Sequence, residues 1–130
     1  EARGEHFYNV FVMAGPQGVV LGEVVKENPA ALEALYFKGE GGPKHIDLPA
    51  LGIRVGVGVC YDCQLSGLVD DVVEADVDMM LMPHCAMEVE GLPSSYVQDW
   101  SEGFKGLPSK AAAALGVPVV FANHAGKWGG

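Results

Sequence analysis

Basic residues are scarce in this sequence. Its 130 residues include eight lysines and arginines against seventeen aspartates and glutamates, so the formal net charge is −9. Binding to nucleic acid or to an anionic membrane surface requires positive charge, and this excess of acid argues against both kinds of partner. The sequence also has no apolar run near the roughly 20 residues that a membrane-spanning helix needs. We therefore expect no nucleic-acid and no membrane partner.

Cysteine is rare as well. Three cysteines are an odd number, and they do not have the spacing of a disulfide framework, which favours a reducing compartment and a cytoplasmic location. Glycine is plentiful, but Gly39, Gly41 and Gly42 lack the spacings of dinucleotide-binding and phosphate-binding loops. We interpret these glycines as residues that the conformation of a loop requires, and we expect no cofactor.

The length and the hydrophobic content set the number of domains. At 130 residues and 49% hydrophobic, the chain is large enough for one domain with a core and too short for two ordinary ones. It begins at Glu1 without an initiator methionine and ends directly after an apolar run. We therefore expect residues 1–130 to be a single partial domain cut from a longer protein.

The stretch from Arg54 to Asp62 organises the sequence. Valines alternate with Gly56 and Gly58, which predicts a strand with one nearly bare face against which another element packs closely. The apolar run stops at Cys60, and from Leu65 onward the spacing is helical. A thiol at a strand-to-helix junction lies near backbone N–H groups that favour the thiolate of a nucleophile or a metal ligand. The position fits a small buried core residue equally well.

The rest of the chain predicts a hairpin followed by an α/β unit. Predicted strands cover Phe7–Met13, Val19–Val25, His45–Leu48, Asp78–Met82 and Val117–Ala122, with the fourth closed by Pro83 and followed by a loop with His84 and Cys85. Predicted helical segments cover Ala30–Phe37, Leu65–Glu74, Tyr96–Phe104 and Lys110–Leu115. The alternation after residue 53 predicts adjacent parallel strands.

Two sets of residues could carry chemistry. Lys26, Glu33 and Cys60 combine an ammonium, a carboxylate and a thiol, and attack of a thiolate on a carbonyl or nitrile carbon needs a positive donor for the oxyanion. The pattern Cys60-Tyr-Asp-Cys63 could instead be a redox pair, or a zinc site completed by His84 and Cys85. Both readings of the second set are weakened, because the residues between the cysteines are unusual for a redox pair and because adjacent ligands close a tetrahedral site poorly.

The order of motifs resembles the nitrilase, or carbon–nitrogen hydrolase, superfamily. The segments that carry the resemblance are Tyr8-Asn9, Gly18-Val-Val-Leu-Gly22 with Lys26, Glu33 with Tyr36-Phe37 and Gly39, Val55-Gly-Val-Gly-Val-Cys60-Tyr-Asp62, Ala75-Asp-Val-Asp78 with Leu81-Met-Pro83, and Trp100 with Val117-Pro-Val-Val-Phe-Ala-Asn123. The stretch ending in Cys60-Tyr-Asp62 is the most specific of these.

The resemblance implies an αββα sandwich and hydrolysis of a non-peptide carbon–nitrogen bond in an amide, carbamoyl or nitrile group. It assigns the nucleophile to Cys60, the oxyanion contacts to Lys26 and the backbone N–H of Tyr61, and the additional carboxylate to Glu33. It further implies a thioester intermediate, a small-molecule substrate, no metal, and association into a homo-oligomer when the protein is full length.

The resemblance also shows departures. The family's general-base glutamate lies upstream of the matched part, together with the first strands and helix of the sandwich. Without those elements we expect this chain alone to be poorly folded, and without the glutamate we expect it to hydrolyse no amide or nitrile. The residues Leu65-Ser-Gly67 replace the aromatic-Pro-Glu that follows the nucleophile in many members. Two other hypotheses remain open, a catalytically inactive homologue or interaction module with the same fold, and a Cys-x-x-Cys redox or zinc module.

Overall fold

The computed structural model describes residues 1–85 and 106–123. Its strands are β1 (Ala2–Arg3), β2 (His6–Phe7), β3 (Val10–Ala14), β4 (Val20–Val25), β5 (His45–Leu48), β6 (Ile53–Val57), β7 (Met79–His84) and β8 (Val119–Asn123). Two short 3₁₀ helices, η1 (Ala31–Leu35) and η2 (Cys60–Gln64), and the α-helix α1 (Ser66–Glu74) lie between them. Residues 106–115 are also helical and are called α2.

The larger sheet has the strand order β5-β6-β7-β8. Its first pair is antiparallel, whereas β6, β7 and β8 run parallel, with Val57 opposite Leu81 and Leu81 opposite Val120. Strands β3 and β4 form a separate antiparallel hairpin. The predicted hairpin and the predicted parallel strands are therefore confirmed. Because β6 and β7 are parallel neighbours, the residues that follow them emerge at the same edge of the sheet.

The two faces of β6 are packed as the alternation of valine and glycine predicts. On one face, Val57 and Val59 join Val24 and Ile46 in a buried cluster between the sheet and the hairpin. On the other face, a Cβ atom at Gly58 would lie 2.6 Å from Cys63 Sγ. The absent side chains thus allow η2 and α1 to pack directly on the backbone of β6.

A second buried cluster fills the space between the sheet and its helices. It contains Leu68 and Val72 of α1 with Met80 and Met82 of β7, and α2 contributes partly buried apolar residues. Leu68 and Val72 belong to the helical spacing that predicted the helix Leu65–Glu74, and they form the face that packs here. The observed helix begins one residue later than predicted. None of the helices in the described ranges combines the length and the hydropathy needed to cross a bilayer.

Several predicted boundaries are wrong. Pro83 and His84 continue β7 instead of ending it, since β7 pairs with β8 as far as His84 opposite Asn123. The segment Ala30–Phe37 forms only the five-residue η1 (Ala31–Leu35). The helix predicted over Lys110–Leu115 begins earlier, because residues 106–109 already belong to α2. The predicted helix Tyr96–Phe104 lies outside the described residues.

Candidate active site

Cys60 is the first residue of η2 and has an unusual backbone conformation. Its φ is +54°, in the left-handed region that residues other than glycine rarely adopt. Such strain is held only where the surrounding structure imposes it, and it is common at functional sites. The bend falls three residues after β6, so the half-buried thiol stands at the carboxyl edge of the parallel strands.

Lys26 directly follows β4 and is almost completely buried, with 1% of its surface exposed. A buried ammonium is stable only when it is paired and hydrogen-bonded. Its partner is Glu33 of η1, whose Oε2 accepts a hydrogen bond from Lys26 Nζ. A lysine at the end of a strand is ordinarily exposed to solvent. Lys26 is buried instead.

Three donors hold the carboxylate of Glu33. Oε2 accepts hydrogen bonds from Lys26 Nζ and from the backbone N–H of Ala30 (2.8 Å), and Oε1 accepts one from Asn9 Nδ2 (3.1 Å). Partial burial works to raise the pKa of Glu33, but the hydrogen bonds from Lys26, Ala30 and Asn9 and the charge of Lys26 outweigh it and lower the pKa. Glu33 is thus held as a carboxylate that fixes Lys26, which is a poor arrangement for a group that must take up a proton.

Asp62 brings the segment of Lys26 against η2. Its Oδ1 accepts hydrogen bonds from the backbone N–H (2.8 Å) and the side-chain Nδ2 (3.0 Å) of Asn28, and its Oδ2 accepts one from the backbone N–H of Glu27 (3.2 Å). Asp62 lies two residues after Cys60 in the same 3₁₀ helix. These contacts join the residues that follow Lys26 to the turn that carries the thiol.

Cys85 lies at the edge of the sheet from which Cys60 also emerges. Partial burial raises the pKa of the Cys85 thiol, negative charge on Cys60 and Glu33 raises it further, and the positive charge of Lys26 opposes them. Cys85 is exposed and directly follows β7, the parallel neighbour of β6. Cys85 therefore emerges at the same edge of the sheet as Cys60.

Cys63 does not behave as a second reactive thiol. It is buried, its Sγ donates a hydrogen bond to the carbonyl oxygen of Gly58 (3.0 Å), and burial, with the charges of Asp62 and Cys60, raises its pKa to about 12. A thiol that resists ionisation is a poor metal ligand and a poor redox nucleophile. Within residues 1–85 and 106–123, no group of three His, Cys, Asp or Glu side chains has the arrangement of a metal site.

His84, which we weighed as a zinc ligand, belongs to the core of the sheet. Its ring is buried beside Phe121 of β8, with 4.7 Å between the ring centroids. Burial lowers its pKa, the backbone carbonyl of Met82 works in the opposite direction, and the charge of Lys26 lowers the pKa further. These surroundings favour a neutral, packed imidazole.

Tyr61, whose backbone N–H we assigned to the oxyanion, is the second residue of η2. The first N–H groups of a helix have no partner within the helix, which is the property that an oxyanion donor needs. Asn9, Asp62 and Lys44 also hold the site, although none was predicted from the sequence, and Asn9 and Asp62 lie inside the matched motifs. Lys44 carries no recognisable signal, because its role depends on contacts with residues 13 to 19 positions away.

No protein-family model matches the chain, and no curated protein sequence matches it. Solved structures do resemble it. A carbon–nitrogen hydrolase from Helicobacter pylori G27 matches with a TM-score of 0.83 and 18% identity, over 97% of this chain and 44% of that one. Saccharomyces cerevisiae Nit3, a member of branch 10 of the nitrilase superfamily, matches with a TM-score of 0.75 and 17% identity, over 97% and 42%.

An amidase of the nitrilase superfamily from Nesterenkonia AN1, determined as a mutant, matches with a TM-score of 0.72 and 22% identity, over 93% of this chain and 42% of that one. The chain therefore has the α/β fold of the nitrilase superfamily, as the resemblance implied. It spans less than half the length of the structures it matches.

Proposed function

We propose that this chain carries the cysteine, lysine and second-glutamate part of a hydrolase that cleaves non-peptide carbon–nitrogen bonds. The observation that carries the proposal is the buried ion pair of Lys26 with Glu33, tied through Asp62 to the strained turn at Cys60. A structural ion pair alone would not require a thiol in left-handed backbone at the same edge of the sheet. The matching solved proteins are hydrolases and amidases, which favours the same reaction class.

In the proposed reaction, the thiolate of Cys60 attacks the carbonyl or nitrile carbon of a small-molecule substrate. For an amide, the carbon–nitrogen bond breaks as the amine takes up a proton, and a thioester remains on Sγ. Lys26 Nζ and the backbone N–H of Tyr61 would stabilise the oxyanion. Water then attacks the thioester, and the carboxylic acid leaves while the thiol is regenerated.

Glu33 takes a positioning role in this proposal. Its oxygens accept three hydrogen bonds, and its lowered pKa keeps it ionised, so it orients Lys26 and does not carry the proton. The proton acceptor is assigned to a different carboxylate, which the resemblance locates upstream of the matched part. Residues 1–130 are therefore expected to form the thioester with an activated acyl donor and not to turn over an amide or a nitrile.

The test uses intact-protein mass spectrometry after incubation with p-nitrophenyl acetate, whose leaving group needs no protonation. The expected result is a single acetyl group that maps to Cys60, that persists for minutes, and that is absent from Cys60→Ser. Acetylation of Cys85 at an equal rate, or no acetylation of Cys60, would contradict the proposal. The latter result combined with a cooperative melt would favour an inactive homologue with the same fold.

Acrylamide gives a second probe. A mutant of the Nesterenkonia amidase shows Michael addition of acrylamide at its active-site cysteine. We propose that Cys60 reacts in the same way, since Michael addition requires a thiolate. A mapped propionamide adduct at Cys60 in preference to Cys63 and Cys85 supports the nucleophile assignment, and preferential modification of either of the other thiols opposes it.

We also propose that the full-length protein forms a homo-oligomer, which size-exclusion chromatography with light scattering tests.

A further inference from the structure

Asp62 is a buried carboxylate whose side-chain hydrogen bonds, within residues 1–85 and 106–123, lead to one short segment. Only 2% of its surface is exposed, and its oxygens accept hydrogen bonds from the backbone N–H groups of Glu27 and Asn28 and from the side chain of Asn28. Hydrogen bonds from N–H groups to an ionised carboxylate are stronger than those between neutral groups. The segment that they hold begins immediately after Lys26.

Lys44 contacts the residues on either side of Lys26 in the chain. Its buried ammonium donates a hydrogen bond to the backbone carbonyl of Val25 (3.1 Å) and lies 3.2 Å from Glu27 Oε2. Its own carbonyl accepts a hydrogen bond from the N–H of Val57 at the end of β6 (2.8 Å). The residues before and after Lys26 are thus both tied to the end of β6 and the turn that follows it.

Gly39 packs directly against the backbone of this segment, because it has no side chain. A Cβ atom at Gly39 would lie 1.9 Å from the backbone oxygen of Glu27, so the two backbones are in direct contact. The carbonyl of Lys26 also accepts a hydrogen bond from the N–H of Glu40 (3.4 Å). The backbone of Lys26 is therefore confined on several sides, and Asp62 is the confining group that is covalently closest to Cys60.

We propose that Asp62 is a positioning residue that sets the distance between the Lys26 ammonium and the Cys60 thiol, with Lys44 as a second support of the same segment. The inference rests on the proposed function, because it assigns a role to Asp62 in the same reaction. Its physical basis is that a misplacement of about 1 Å in a reacting group lowers the rate by about 10²-fold. Asp62 itself touches neither the substrate nor the reacting atoms.

The test measures the rate constant for acetylation of Cys60 by p-nitrophenyl acetate in a double-mutant cycle of Asp62→Ala and Lys26→Met. Alkylation of Cys60 by iodoacetamide is measured in parallel, because alkylation forms no oxyanion and reports only the access and ionisation of the thiol. Asp70→Ala is the matched control, since Asp70 is an exposed aspartate on α1. Circular dichroism and thermal melts establish that each variant is folded.

If Asp62 acts through Lys26, Asp62→Ala lowers the acetylation rate about 10- to 100-fold in the wild-type background and less than about twofold in the Lys26→Met background. Alkylation falls by a smaller factor than acetylation, and Asp70→Ala changes neither rate. Equal loss of acetylation in both backgrounds, or no loss in the wild-type background, would overturn the positioning role.

The cycle also separates this inference from the proposed function. If Lys26→Met alone leaves acetylation unchanged, then Lys26 is not an oxyanion contact and the proposed function fails together with the inference. If Lys26→Met lowers acetylation but Asp62→Ala does not, only the inference fails. Should Asp62→Ala not fold, Asp62→Asn replaces it in the same cycle. The asparagine retains an acceptor for Asn28 but places an N–H₂ group toward the N–H of Glu27, so the same criteria apply.

Discussion

The ammonium of Lys26 lies buried against the carboxylate of Glu33, seven residues further along the chain. The two partners differ in exposure, since the Lys26 side chain is 1% exposed and the Glu33 side chain 33% exposed. The charge of the lysine is therefore shielded from solvent while the carboxylate remains at the surface of the site. Four consequences of this arrangement and of its surroundings can be measured.

The stability that Glu33 contributes should depend on pH. Because the pKa of Glu33 is lower in the folded chain than its ordinary value of 4.5, the ionised form stabilises the fold above that value. The contribution is lost as the pH falls through the lower, folded-state pKa, where the carboxyl is protonated in both states. Urea denaturation of wild type and Glu33→Gln should show a larger difference in unfolding free energy at pH 7 than at pH 3. A difference that is constant with pH would contradict the lowered pKa.

Removal of the Lys26 charge should affect chemistry more than access to the thiol. We expect Lys26→Met to lower the rate of Cys60 acetylation about 10²- to 10³-fold, as the loss of an oxyanion donor does in other enzymes. The same substitution at Lys110, an exposed lysine of α2, is the control and should leave the rate unchanged. Equal rates for Lys26→Met and wild type would remove Lys26 from the site.

The three cysteines should react in a fixed order with iodoacetamide near neutral pH. Burial raises the pKa of Cys63 to about 12, and burial and nearby negative charge raise that of Cys85, so both are mostly protonated at pH 7.5. We therefore expect Cys85 to react slowly and Cys63 only after unfolding, and we expect Cys60, as the proposed nucleophile, to be labelled first. Peptide mapping over time gives the order, and labelling of Cys63 ahead of Cys60 in the folded chain would be inconsistent with the packing of Cys63 against Gly58.

The close contact at β6 predicts opposite effects for two glycine substitutions. In Gly58→Ala, the new methyl group would lie 2.6 Å from both Cys63 Sγ and Leu68 Cδ2, so these buried side chains must shift, at a cost of about 1–3 kcal/mol.

In Gly67→Ala, the methyl group meets nothing within 4 Å, and a residue in α1 gains up to about 1 kcal/mol of helix propensity. Denaturant midpoints of both variants check the prediction, and Gly58→Ala should also slow the acetylation of Cys60. A Gly58→Ala variant as stable as wild type would show that the bare face is not tightly packed.

The local pattern of the sequence determined most of the fold. Alternating valine and glycine predicted β6 and the close approach on its bare face, because a strand directs successive side chains to opposite faces. Helical spacing predicted α1, and the short link after residue 13 predicted the hairpin of β3 and β4. The order of motifs around Lys26, Glu33 and Cys60 predicted the nitrilase fold, which the solved structures share. The boundary at Pro83 was wrong because pairing with β8 extends β7 through the proline.

Only the tertiary structure decided how the candidate residues are held. The burial of Lys26, the three donors on Glu33 and the left-handed backbone of Cys60 depend on contacts between segments up to 35 residues apart, which no local spacing encodes. Nothing in the sequence marked Asp62 and Lys44 as buried. Both are buried because they form hydrogen bonds with backbone groups of residues 25–28, which are distant in the chain. Local periodicity reports which face of an element is apolar. The free energy of burying a charge is set by partners that only the folded chain brings together.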